Sequence, residues 1–555
     1  MREALLPVSN EMNAAVLLTK SLEEGGVKYV FGLPGEENLA LLEALRHSTI
    51  RYVTVRDEQT AVFMAATVGR LTGRVGVALS TLGPGATNLV TGVAYAQLGG
   101  MPTLVITGQK PIKKSKQGRF QIIDVVRMMK PITKFSETIQ SADRIPSIVY
   151  DAIRIAEIER PGATHLELPE DIADEESDGQ PIAWQKIRRP VPDEKIIGIA
   201  SKVIESAKLP VIVAANAANR KLVRKQLKNF IEKTCIPFAT TQMGKGALDE
   251  GMPQYLGTTA LSSDDYVNRA LATADLVIMV GHDISEKPPI LANADQKILH
   301  INFYPAEIDA VYTPDLEVIG DISNALWAMG ERISPPSWNF EPLFAYKRML
   351  EDEIAQEGKN ADFPMRPARF VADLRSVMPR DGIIALDNGM YKIWVARNYK
   401  AYEQNTVLLD NAFASMGAGL GSGIAVKLLH PDKKVVVVAG DGGFLMNIGD
   451  LETAQRLKLD LVIVIVNDGG YGMIRWKQES LGMPEFGLAF GNPDFVKLAE
   501  SFGARGTRIQ KAEEFAPTLA RVLSEGGVHI IDLPVNYADN AALSSSALRA
   551  KMARP

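Results

Sequence analysis

The sequence predicts an α/β protein built from three doubly wound parallel-sheet domains. Short apolar segments with strand character alternate with helix-length amphipathic segments along the whole chain. This alternation is typical of βαβ units, in which helices cover both faces of a parallel sheet. The chain has 555 residues and no short repeat period. That length fits three domains of roughly 150–180 residues each.

The N-terminal third carries the first such alternation. Residues Met12–Leu22 have helical spacing, and helices are also expected from near Glu58 and over Ala86–Gln97. The expected strands are Tyr29–Phe31, Arg51–Val55, Val75–Ser80 and Thr103–Thr107. The polar, acidic stretch 170–190 predicts a linker, so we expect the first domain to span residues 8–175.

Two further domains are expected after this linker, a central domain over residues 190–335 and a C-terminal domain over residues 365–540. The central strands are expected at Pro210–Ala214, Leu276–Val280 and Ile298–Asn302, and Ser334–Pro336 indicates a second boundary. The last third has strand-like segments at Gly382–Leu386, Lys434–Ala439, Leu461–Val466 and His529–Leu533. The first and last domains are candidates for a shared topology, which spacing alone does not establish.

Composition excludes several classes of function. Formal net charge is −5, from 61 Lys and Arg residues against 66 Asp and Glu residues, which argues against a nucleic-acid-binding face. The single cysteine, Cys235, excludes an intramolecular disulfide and indicates a reducing compartment. Apolar runs are much shorter than the ~18 residues of a membrane helix. The first residues lack a signal-type apolar core, so we expect a cytoplasmic protein without a membrane partner.

The most informative segment lies in the last third. One strand is expected to end at Gly440-Asp441-Gly442-Gly443, and the next strand ends at Asn467-Asp468-Gly469. Both turns therefore lie at the carboxyl ends of parallel strands, where open α/β sheets bind ligands. Asp441, Asn467 and the carbonyl of Gly469 offer three oxygen ligands, and diphosphate oxygens with a water would complete an octahedron that suits Mg²⁺.

A simpler interpretation is that Gly-Asp-Gly-Gly forms a tight strand-to-helix turn and Asn467 a second turn. The spacing argues against it, because 24 residues separate Gly442 from Asn467. This pattern is typical of enzymes that bind thiamin diphosphate. Their chemistry needs a carboxylate beside the aminopyrimidine ring, and Glu58 is the candidate. Taken alone, a Glu in a first helical turn is more often a favourable contact with the helix dipole.

The chain resembles the acetolactate (acetohydroxyacid) synthase family of thiamin-diphosphate enzymes over about residues 16–540. The matching stretches are Phe31–Gly35, Arg56–Ala65, Gly69–Asn88, Ile106–Gln109, Arg119–Val126, Pro131–Lys134, Thr240–Gly246, Tyr312–Ile322, Ser415–Leu420, the Gly440–Asn467 segment and Leu533–Asn540. The last stretch is most like the catabolic, FAD-independent enzymes. The resemblance implies a pyrimidine-binding, a central and a diphosphate-binding domain. It also implies a homodimer or homotetramer, in which Glu58 of one subunit acts on the cofactor of another.

The resemblance also implies a role for each site residue. Glu58, Phe120 and Gln121 are the expected catalytic residues, and Asp441, Asn467 and Gly469 the expected metal ligands. The expected cofactor-binding residues are Pro34, Glu58, Pro84, Asn88, Gly389, Met390, Tyr391, Ser415, Met416, Gly440, Asp441, Gly442, Gly443, Asn467, Gly469, Gly470, Tyr471, Met473 and Ile474. The expected substrate pocket contains Leu33, Leu82, Phe120, Gln121, Met473 and Trp476.

The reaction implied by the resemblance is the joining of two pyruvates to 2-acetolactate and CO₂ with thiamin diphosphate and Mg²⁺. Protonation to an aldehyde needs positioned acids, which related decarboxylases supply with an adjacent His pair; the chain has six histidines and no adjacent pair, and this poor supply of acids favours carboligation. FAD is disfavoured, because the strand ending at Ala214 runs into Ala-Asn-Ala-Ala-Asn and Asn302 stands where an acidic residue often binds the ribose. The segment 281–289 also looks like that of the flavin-free enzymes.

Two alternatives remain at this stage. Leu82, Glu170 and Trp476 depart from the family pattern. They therefore favour, as an alternative, a thiamin-diphosphate-dependent lyase or oxidoreductase acting on another 2-oxo or 2-hydroxy acid. A non-catalytic thiamin- or nucleotide-binding regulator is disfavoured, because Glu58, Asp441 and Asn467 are all present.

Overall fold

The computed structural model describes residues 12–113, 118–259, 265–286, 296–308 and 312–543. The chain divides into two compact units, an N-terminal unit, Met1–Ile187, and a C-terminal unit, Arg188–Pro555. The described residues form three six-stranded sheets, and every pair of neighbouring strands is parallel. This confirms the predicted α/β class with three parallel sheets.

The N-terminal unit contains one sheet, with strand order β2-β1-β3-β4-β6-β5. Its strands are β1 Tyr29–Gly32, β2 Arg51–Thr54, β3 Gly76–Ser80, β4 Thr103–Gln109, β5 Phe135–Thr138 and β6 Ala163–Pro169. Its helices are α1 Ala14–Glu24, α2 Leu39–Arg46, α3 Glu58–Thr72, α4 Pro84–Asn88, α5 Val90–Leu98, α6 Val125–Met129, α7 Ile145–Glu157 and α8 Glu170–Ala173. Short 3₁₀ turns lie at Glu36–Asn38, Lys130–Ile132 and Ala142–Arg144. We call this the N-terminal sheet.

The C-terminal unit begins with a central sheet of order β12-β11-β10-β7-β8-β9. Its strands are β7 Pro210–Ala214, β8 Phe238–Thr240, β9 Tyr255–Thr258, β10 Leu276–Val280, β11 Lys297–Asn302 and β12 Leu316–Ile319. Its helices are α9 Glu194–Ser206, α10 Lys221–Thr234, α11 Tyr266–Thr273, α12 Ile322–Arg332 and α13 Glu341–Glu357, with a 3₁₀ turn at Asn216–Asn219. This is the doubly wound order, in which the direction of strand connection across the sheet reverses between β7 and β10.

The same unit ends with a C-terminal sheet of order β14-β13-β15-β16-β18-β17. Its strands are β13 Ile383–Leu386, β14 Val407–Leu408, β15 Val435–Gly440, β16 Leu461–Asn467, β17 Arg505–Arg508 and β18 Val528–Pro534. Its helices are α14 Pro367–Val377, α15 Met390–Asn398, α16 Ala418–Leu429, α17 Asp441–Met446, α18 Leu451–Arg456, α19 Gly472–Ser480, α20 Phe495–Ser501 and α21 Phe515–Glu525. Its 3₁₀ turns lie at Ile448–Asp450, Ala512–Glu514 and Ala538–Leu543.

The N-terminal and C-terminal sheets share one topology. Numbered within its own sheet, each has the order 2-1-3-4-6-5, whereas the central sheet has the order 3-2-1-4-5-6 read from its opposite edge. The shared topology, which spacing left open, is therefore a finding of the tertiary structure.

Burial on both faces explains why some strands are recognisable in the sequence. Strands β15 and β16 are the continuous apolar runs VVVVAG and LVIVIVN, and nearly every residue is buried because helices cover both faces. Strands β5, β14 and β17 lie at sheet edges and are short or polar, so periodicity did not reveal them. Strands β6, β8, β9 and β12 were not predicted either, although β6, β8 and β9 are buried throughout. The helix predicted over Ala86–Gln97 instead begins at Pro84 and is interrupted at Leu89.

A buried polar cluster connects the central and C-terminal sheets within their unit. Lys245 Nζ donates to Glu250 Oε2 at 2.7 Å, and both side chains are almost completely buried. The backbone N–H of Ala401, which follows α15, donates to the same carboxylate oxygen at 2.9 Å. Burial lowers the pKa of Lys245, and the Glu250 carboxylate opposes this effect. None of the described helices combines the length and apolar character needed to cross a membrane.

Candidate active site

Three neighbouring strands of the C-terminal sheet end around one cavity. Strands β13, β15 and β16 lie side by side, and their last residues are Leu386, Gly440 and Asn467. The cavity has a volume of about 240 Å³. Helix α17 follows β15 directly and three residues separate β13 from α15, so helix N-termini face the space where an anion would bind.

Most of the residues predicted for the cofactor line this cavity. Those that do are Gly389, Met390, Tyr391, Met416, Gly440, Asp441, Gly442, Gly443, Gly470, Tyr471, Met473 and Ile474. The carbonyl of Ser415 accepts a hydrogen bond from Asn388 Nδ2 at 2.6 Å, which places Ser415 beside a residue of the lining. Trp476 instead lines a neighbouring cavity of about 460 Å³, together with Tyr537 and Arg475.

The predicted metal ligands lie together at the edge of this cavity. Asp441 is buried, and its Oδ2 accepts the backbone N–H of Gly469 at 3.0 Å. Asn492 Nδ2 donates to the same oxygen at 2.7 Å and to Asn467 Oδ1 at 3.2 Å. A carboxylate oxygen and a carboxamide oxygen therefore accept hydrogen bonds from the same nitrogen. Two oxygens that lie close enough to share a donor are also close enough to bind one small cation.

A carboxylate on the adjacent strand fixes the orientation of Asn467. Asn467 Nδ2 donates to Asp532 Oδ1, on β18, at 2.9 Å. An ionised carboxylate can only accept hydrogen bonds, so the amide nitrogen of Asn467 must face Asp532 and its oxygen must face Asp441 and Asn492. Asp532 thus presents the oxygen of Asn467 to the proposed metal position.

Two glycines adopt backbone conformations that this geometry requires. Gly469 has φ 65°, in the left-handed region, and follows the turn that carries Asn467. Gly417 has φ 87°, and a methyl group there would lie 2.1 Å from Asn447 Oδ1. Gly417 N–H also donates to both carboxylate oxygens of Asp387, at 2.9 and 3.0 Å, which fixes the loop carrying Met416.

Buried charges surround the cavity. Burial raises the pKa of Asp387 to about 7. Burial and the nearby Asp441 raise the pKa of Asp468 to about 7. Burial lowers the pKa of Lys392 to about 8, although Asp410 and Asp387 favour its charged form. Lys392 Nζ donates to Asn388 Oδ1 at 2.7 Å and to the Asp410 carbonyl at 3.0 Å, so it connects the loops that follow β13 and β14.

The N-terminal unit holds the predicted carboxylate. Asp57 caps α3, because its Oδ1 accepts the N–H groups of Gln59 and Thr60, and this places Glu58 at the first helical position. Glu58 is buried, and its Oε2 accepts Asn88 Nδ2 at 3.0 Å. A methyl group at Gly85 would lie 3.2 Å from Glu58 Oε1, so the glycine leaves that oxygen room.

The other predicted residues of this unit surround the same turn. Gln121 is exposed at φ 59°, and a methyl group at Gly83, next to Pro84, would lie 2.8 Å from the Gln121 carbonyl oxygen. Phe120 is 66% exposed, whereas Leu82 is completely buried. Leu33 is half-buried and Pro34 is exposed, on a turn whose Gly35 packs against Thr81.

Sequence patterns missed several lining residues. Asn388, Lys392, Ala414, Asp468 and Tyr537 line the cavity but were not predicted. Asn388 and Lys392 follow β13, so their position after a strand end was an available signal. Tyr537 lies beyond β18 and comes to the cavity through the tertiary structure.

The described residues contain no cluster of three His, Cys, Asp or Glu side chains that could hold a metal ion. A site built from one carboxylate, one carboxamide and one carbonyl would not form such a cluster. None of the six histidines lines the cavity beside Asp441.

Comparison with known families gives an independent result. Three models of the thiamine pyrophosphate enzymes match the chain, the N-terminal TPP binding domain at residues 12–128, the central domain at 197–329 and the C-terminal TPP binding domain at 387–533. An acetolactate synthase of Bacillus subtilis (strain 168) is 34% identical over 547 residues, 96% of this chain and 95% of that protein. The chain belongs to the acetolactate synthase family. It is therefore an enzyme that depends on thiamine pyrophosphate, also called thiamin diphosphate.

A second relative is a catabolic acetolactate synthase, the type that the last stretch of the sequence resembles. The catabolic acetolactate synthase of Raoultella terrigena is 32% identical over 546 residues, 96% of this chain and 96% of that protein. The family predicted from the motifs is thus confirmed across nearly the whole chain.

Proposed function

We propose that this enzyme joins two pyruvates to 2-acetolactate with release of CO₂, using thiamin diphosphate and Mg²⁺. One observation carries the proposal: the oxygens of Asp441 and Asn467 accept hydrogen bonds from the same nitrogen, Asn492 Nδ2, beside a glycine-lined cavity. The names of the relatives support acetolactate as the product. We further propose that the three domains span residues 8–175, 190–335 and 365–540.

The residues present fit a Mg²⁺–diphosphate group. Asp441 and Asn467 supply hard oxygen ligands, and the Gly469 carbonyl is the proposed third. Gly389, Gly442 and Gly443 let the backbone approach phosphate oxygens at the start of α15 and α17. Lys392 adds a buried cation near the carboxylates Asp387 and Asp410. In this arrangement the chain holds the diphosphate and offsets part of its charge.

The reacting end of the bound cofactor would lie among apolar side chains. Met416, Tyr471, Met473 and Ile474 line the cavity, and we propose that Met416 would support the bound cofactor while Met473 and Ile474 would pack beside its thiazolium ring. Bound thiamin diphosphate supplies a carbon nucleophile for the keto group of pyruvate and accepts the electrons left when CO₂ departs. Apolar side chains beside that carbon would lower the local water content.

Glu58 is the proposed proton-handling residue. Its Oε2 is already hydrogen-bonded to Asn88, so Oε1 beside Gly85 is the oxygen that would share a proton with a nitrogen of the aminopyrimidine ring. We propose that Glu58 serves the cofactor of a second subunit, which makes the enzyme a homodimer or homotetramer. Gln121, with Phe120 beside it, would donate a hydrogen bond to the carbonyl oxygen of the acceptor 2-oxo acid.

Joining two pyruvates requires that few proton donors lie near the proposed reacting end of the cavity. The residues lining the cavity include no histidine, and the side chains nearest the proposed reacting end are apolar. A second pyruvate therefore competes well with a proton donor. This supports acetolactate over an aldehyde as the product.

The central sheet is a poor fit for FAD. A dinucleotide would lie at the carboxyl ends of β7 and β10, where the direction of strand connection reverses. There the N–H of Ala217 donates to the Gly281 carbonyl at 3.0 Å, and a methyl group at Gly281 would lie 2.7 Å from the nitrogen of Ala218. Asn302 Nδ2 donates to the His282 carbonyl at 2.7 Å. The described loops thus contact each other, and we expect a purified protein without flavin absorbance near 450 nm.

The test is product identification. Purified enzyme, thiamin diphosphate, Mg²⁺ and pyruvate should give 2-acetolactate, detected as acetoin after acid treatment, together with CO₂. Release of CO₂ with acetaldehyde and no ligated product would overturn the proposal and favour a lyase. A panel of other 2-oxo acids, run as donors and as acceptors, identifies the preferred pair.

A further inference from the structure

A loop without helix or strand carries Met416 to the cavity. It lies between β14 and α16 and spans residues 410–417, and we call it the 410–417 loop. Ala414 and Met416 both line the cavity. Ala414 has φ 55°, a left-handed conformation that is uncommon for residues other than glycine. The position of Met416 therefore depends on the groups that hold this loop in its shape.

Buried carboxylates hold both ends of the loop. Asp410 Oδ2 accepts the N–H of Ala414 at 2.7 Å. At the other end, the N–H of Gly417 donates to both carboxylate oxygens of Asp387 at 2.9 and 3.0 Å. Both carboxylates are almost completely buried, so water does not compete for these bonds. The carbonyl of Ser415, which lies between the two ends, has a separate partner.

The partner of the Ser415 carbonyl is the side chain of Asn388. Asn388 Nδ2 donates to this carbonyl at 2.6 Å, and Asn388 Oδ1 accepts Lys392 Nζ at 2.7 Å. An ammonium group can only donate, so the oxygen of Asn388 must face Lys392 and its nitrogen must face Ser415. Asn388 is buried and lines the cavity, but both of its polar side-chain atoms are bonded to the protein. Its side chain is therefore suited to holding the loop and not to binding the diphosphate.

Lys392 is fixed by the start of the same loop. Its Nζ also donates to the Asp410 carbonyl at 3.0 Å and to Asn411 Oδ1 at 3.3 Å. With Asn388 Oδ1, the three protons of the ammonium group have three acceptors. Lys392 belongs to α15, which begins beside the cavity. It therefore connects this helix to the loop and fixes the direction of the Asn388 amide.

We propose that Asn388 is a positioning residue that holds the 410–417 loop, and with it Met416, in place before the cofactor binds. The inference rests on the proposed function, in which Met416 would support bound thiamin diphosphate. Inorganic pyrophosphate has no ring system, so its binding does not need Met416. If the loop is in place only part of the time, the apparent affinity for thiamin diphosphate falls by that fraction.

The affinities for these two ligands test the proposed role. Asn388→Ala removes the bond to Ser415, so the dissociation constant of thiamin diphosphate should rise about 10-fold. The dissociation constant of inorganic pyrophosphate should stay within about 2-fold of the wild-type value. Calorimetry of the full-length protein measures both constants. Mn²⁺ replaces Mg²⁺ in these titrations, so that electron paramagnetic resonance of free Mn²⁺ checks that the metal is bound.

Asn411→Ala is the matched control. It removes another acceptor of Lys392 but leaves the bond to the Ser415 carbonyl in place. This variant should bind both ligands like the wild type, and circular dichroism checks that each variant is folded. Equal losses in the two variants would assign the effect to Lys392 and overturn the inference. Unchanged affinity of Asn388→Ala for thiamin diphosphate, or equal weakening of both ligands, would overturn it as well.

Amide hydrogen exchange gives a second readout that does not depend on a folded variant. In the cofactor-free wild type, peptides from residues 410–417 should exchange more than about 10-fold more slowly than an unfolded peptide of the same sequence. Asn388→Ala should speed this exchange. Exchange at the unfolded rate in the folded wild type would overturn the inference alone, because the loop would not be held before the cofactor binds. A wild type that binds neither Mn²⁺ nor thiamin diphosphate would overturn the proposed function and this inference together.

Discussion

The N-terminal and C-terminal sheets place an amide at the same point of the same topology. In each sheet, the fourth strand along the chain pairs in parallel with the sixth. Gln109 ends β4 and donates to Glu167, on β6, at 2.8 Å. Asn467 ends β16 and donates to Asp532, on β18, at 2.9 Å. In both sheets a buried carboxylate of the sixth strand therefore orients the amide at the end of the fourth.

The oxygens of the two amides have different hydrogen-bond partners. Gln109 Oε1 accepts the N–H of the next residue, Lys110, at 2.9 Å, so the longer side chain turns back onto its own backbone. Asn467 is one methylene shorter, and its oxygen faces Asp441 and Asn492. The same frame thus gives a closed hydrogen-bond network in one sheet and a candidate metal site in the other. Side chains at strand ends, and not topology, decide the chemistry.

Removing the carboxylate of the C-terminal sheet should have the largest effect. Asp441→Ala deletes the one charged ligand of the proposed site, so we expect Mn²⁺ affinity in the presence of thiamin diphosphate to fall more than about 100-fold. Acetolactate formation should fall to background. Paramagnetic resonance and a product assay measure the two effects. Retained metal affinity would remove Asp441 from the site.

Changing the carboxylate of the N-terminal unit should separate catalysis from binding. Glu58→Gln preserves the shape of the side chain but removes its proton-sharing role, so turnover should fall about 10²–10⁴-fold. Binding of Mn²⁺ and inorganic pyrophosphate should stay near the wild-type value. Steady-state kinetics and calorimetry distinguish the two quantities, and unchanged turnover would refute the role of Glu58.

A matched pair of substitutions tests the comparison itself. Asp532→Asn can turn an amide nitrogen toward Asn467, so the Asn467 oxygen is no longer held toward Asp441. We expect Mn²⁺ affinity to fall about 10-fold. Glu167→Gln makes the equivalent change in the N-terminal sheet and should leave Mn²⁺ affinity unchanged. Equal losses in both variants would show that general destabilisation, and not ligand orientation, explains the effect.

The smallest expected effect concerns stability at acid pH. His165 is fully buried between Thr107 and Ser136 on neighbouring strands, and burial lowers its pKa from 6.5 to about 3. The register places Ile530 at the equivalent position of the C-terminal sheet. Since the unfolded chain binds a proton below pH 6.5 and the folded chain does not, His165 destabilises the fold as pH falls from about 6.5 toward 3.

His165→Gln removes this titration while keeping polar contacts available. Between pH 6.5 and 5.5 the wild type should lose about 1 kcal/mol more unfolding free energy than the variant. Urea unfolding at the two pH values measures the difference. Identical pH dependence of the two proteins would contradict the assignment to His165.

The sequence alone determined the α/β class and many of the buried strands, and it predicted the main residues of the candidate site, whereas the buried strands β6, β8 and β9 were not predicted. Strands β15 and β16 were recognisable because a parallel strand covered on both faces must be apolar along its length. Asp441 and Asn467 were predictable because the number of residues between them is typical of the family; it spans the short helices α17 and α18 and the strand β16 between two adjacent strand ends.

Only the tertiary structure decided the shared topology and the partners of those residues. Asp532 and Asn492 reach Asn467 across 65 and 25 positions of the chain, and Tyr537 comes to the cavity from beyond β18. Periodicity reports whether a residue is buried, but strand order and register decide which distant residues become neighbours. The orientation of Asn467 therefore depends on which strand pairs with β16, and a local pattern contains no information about that pairing.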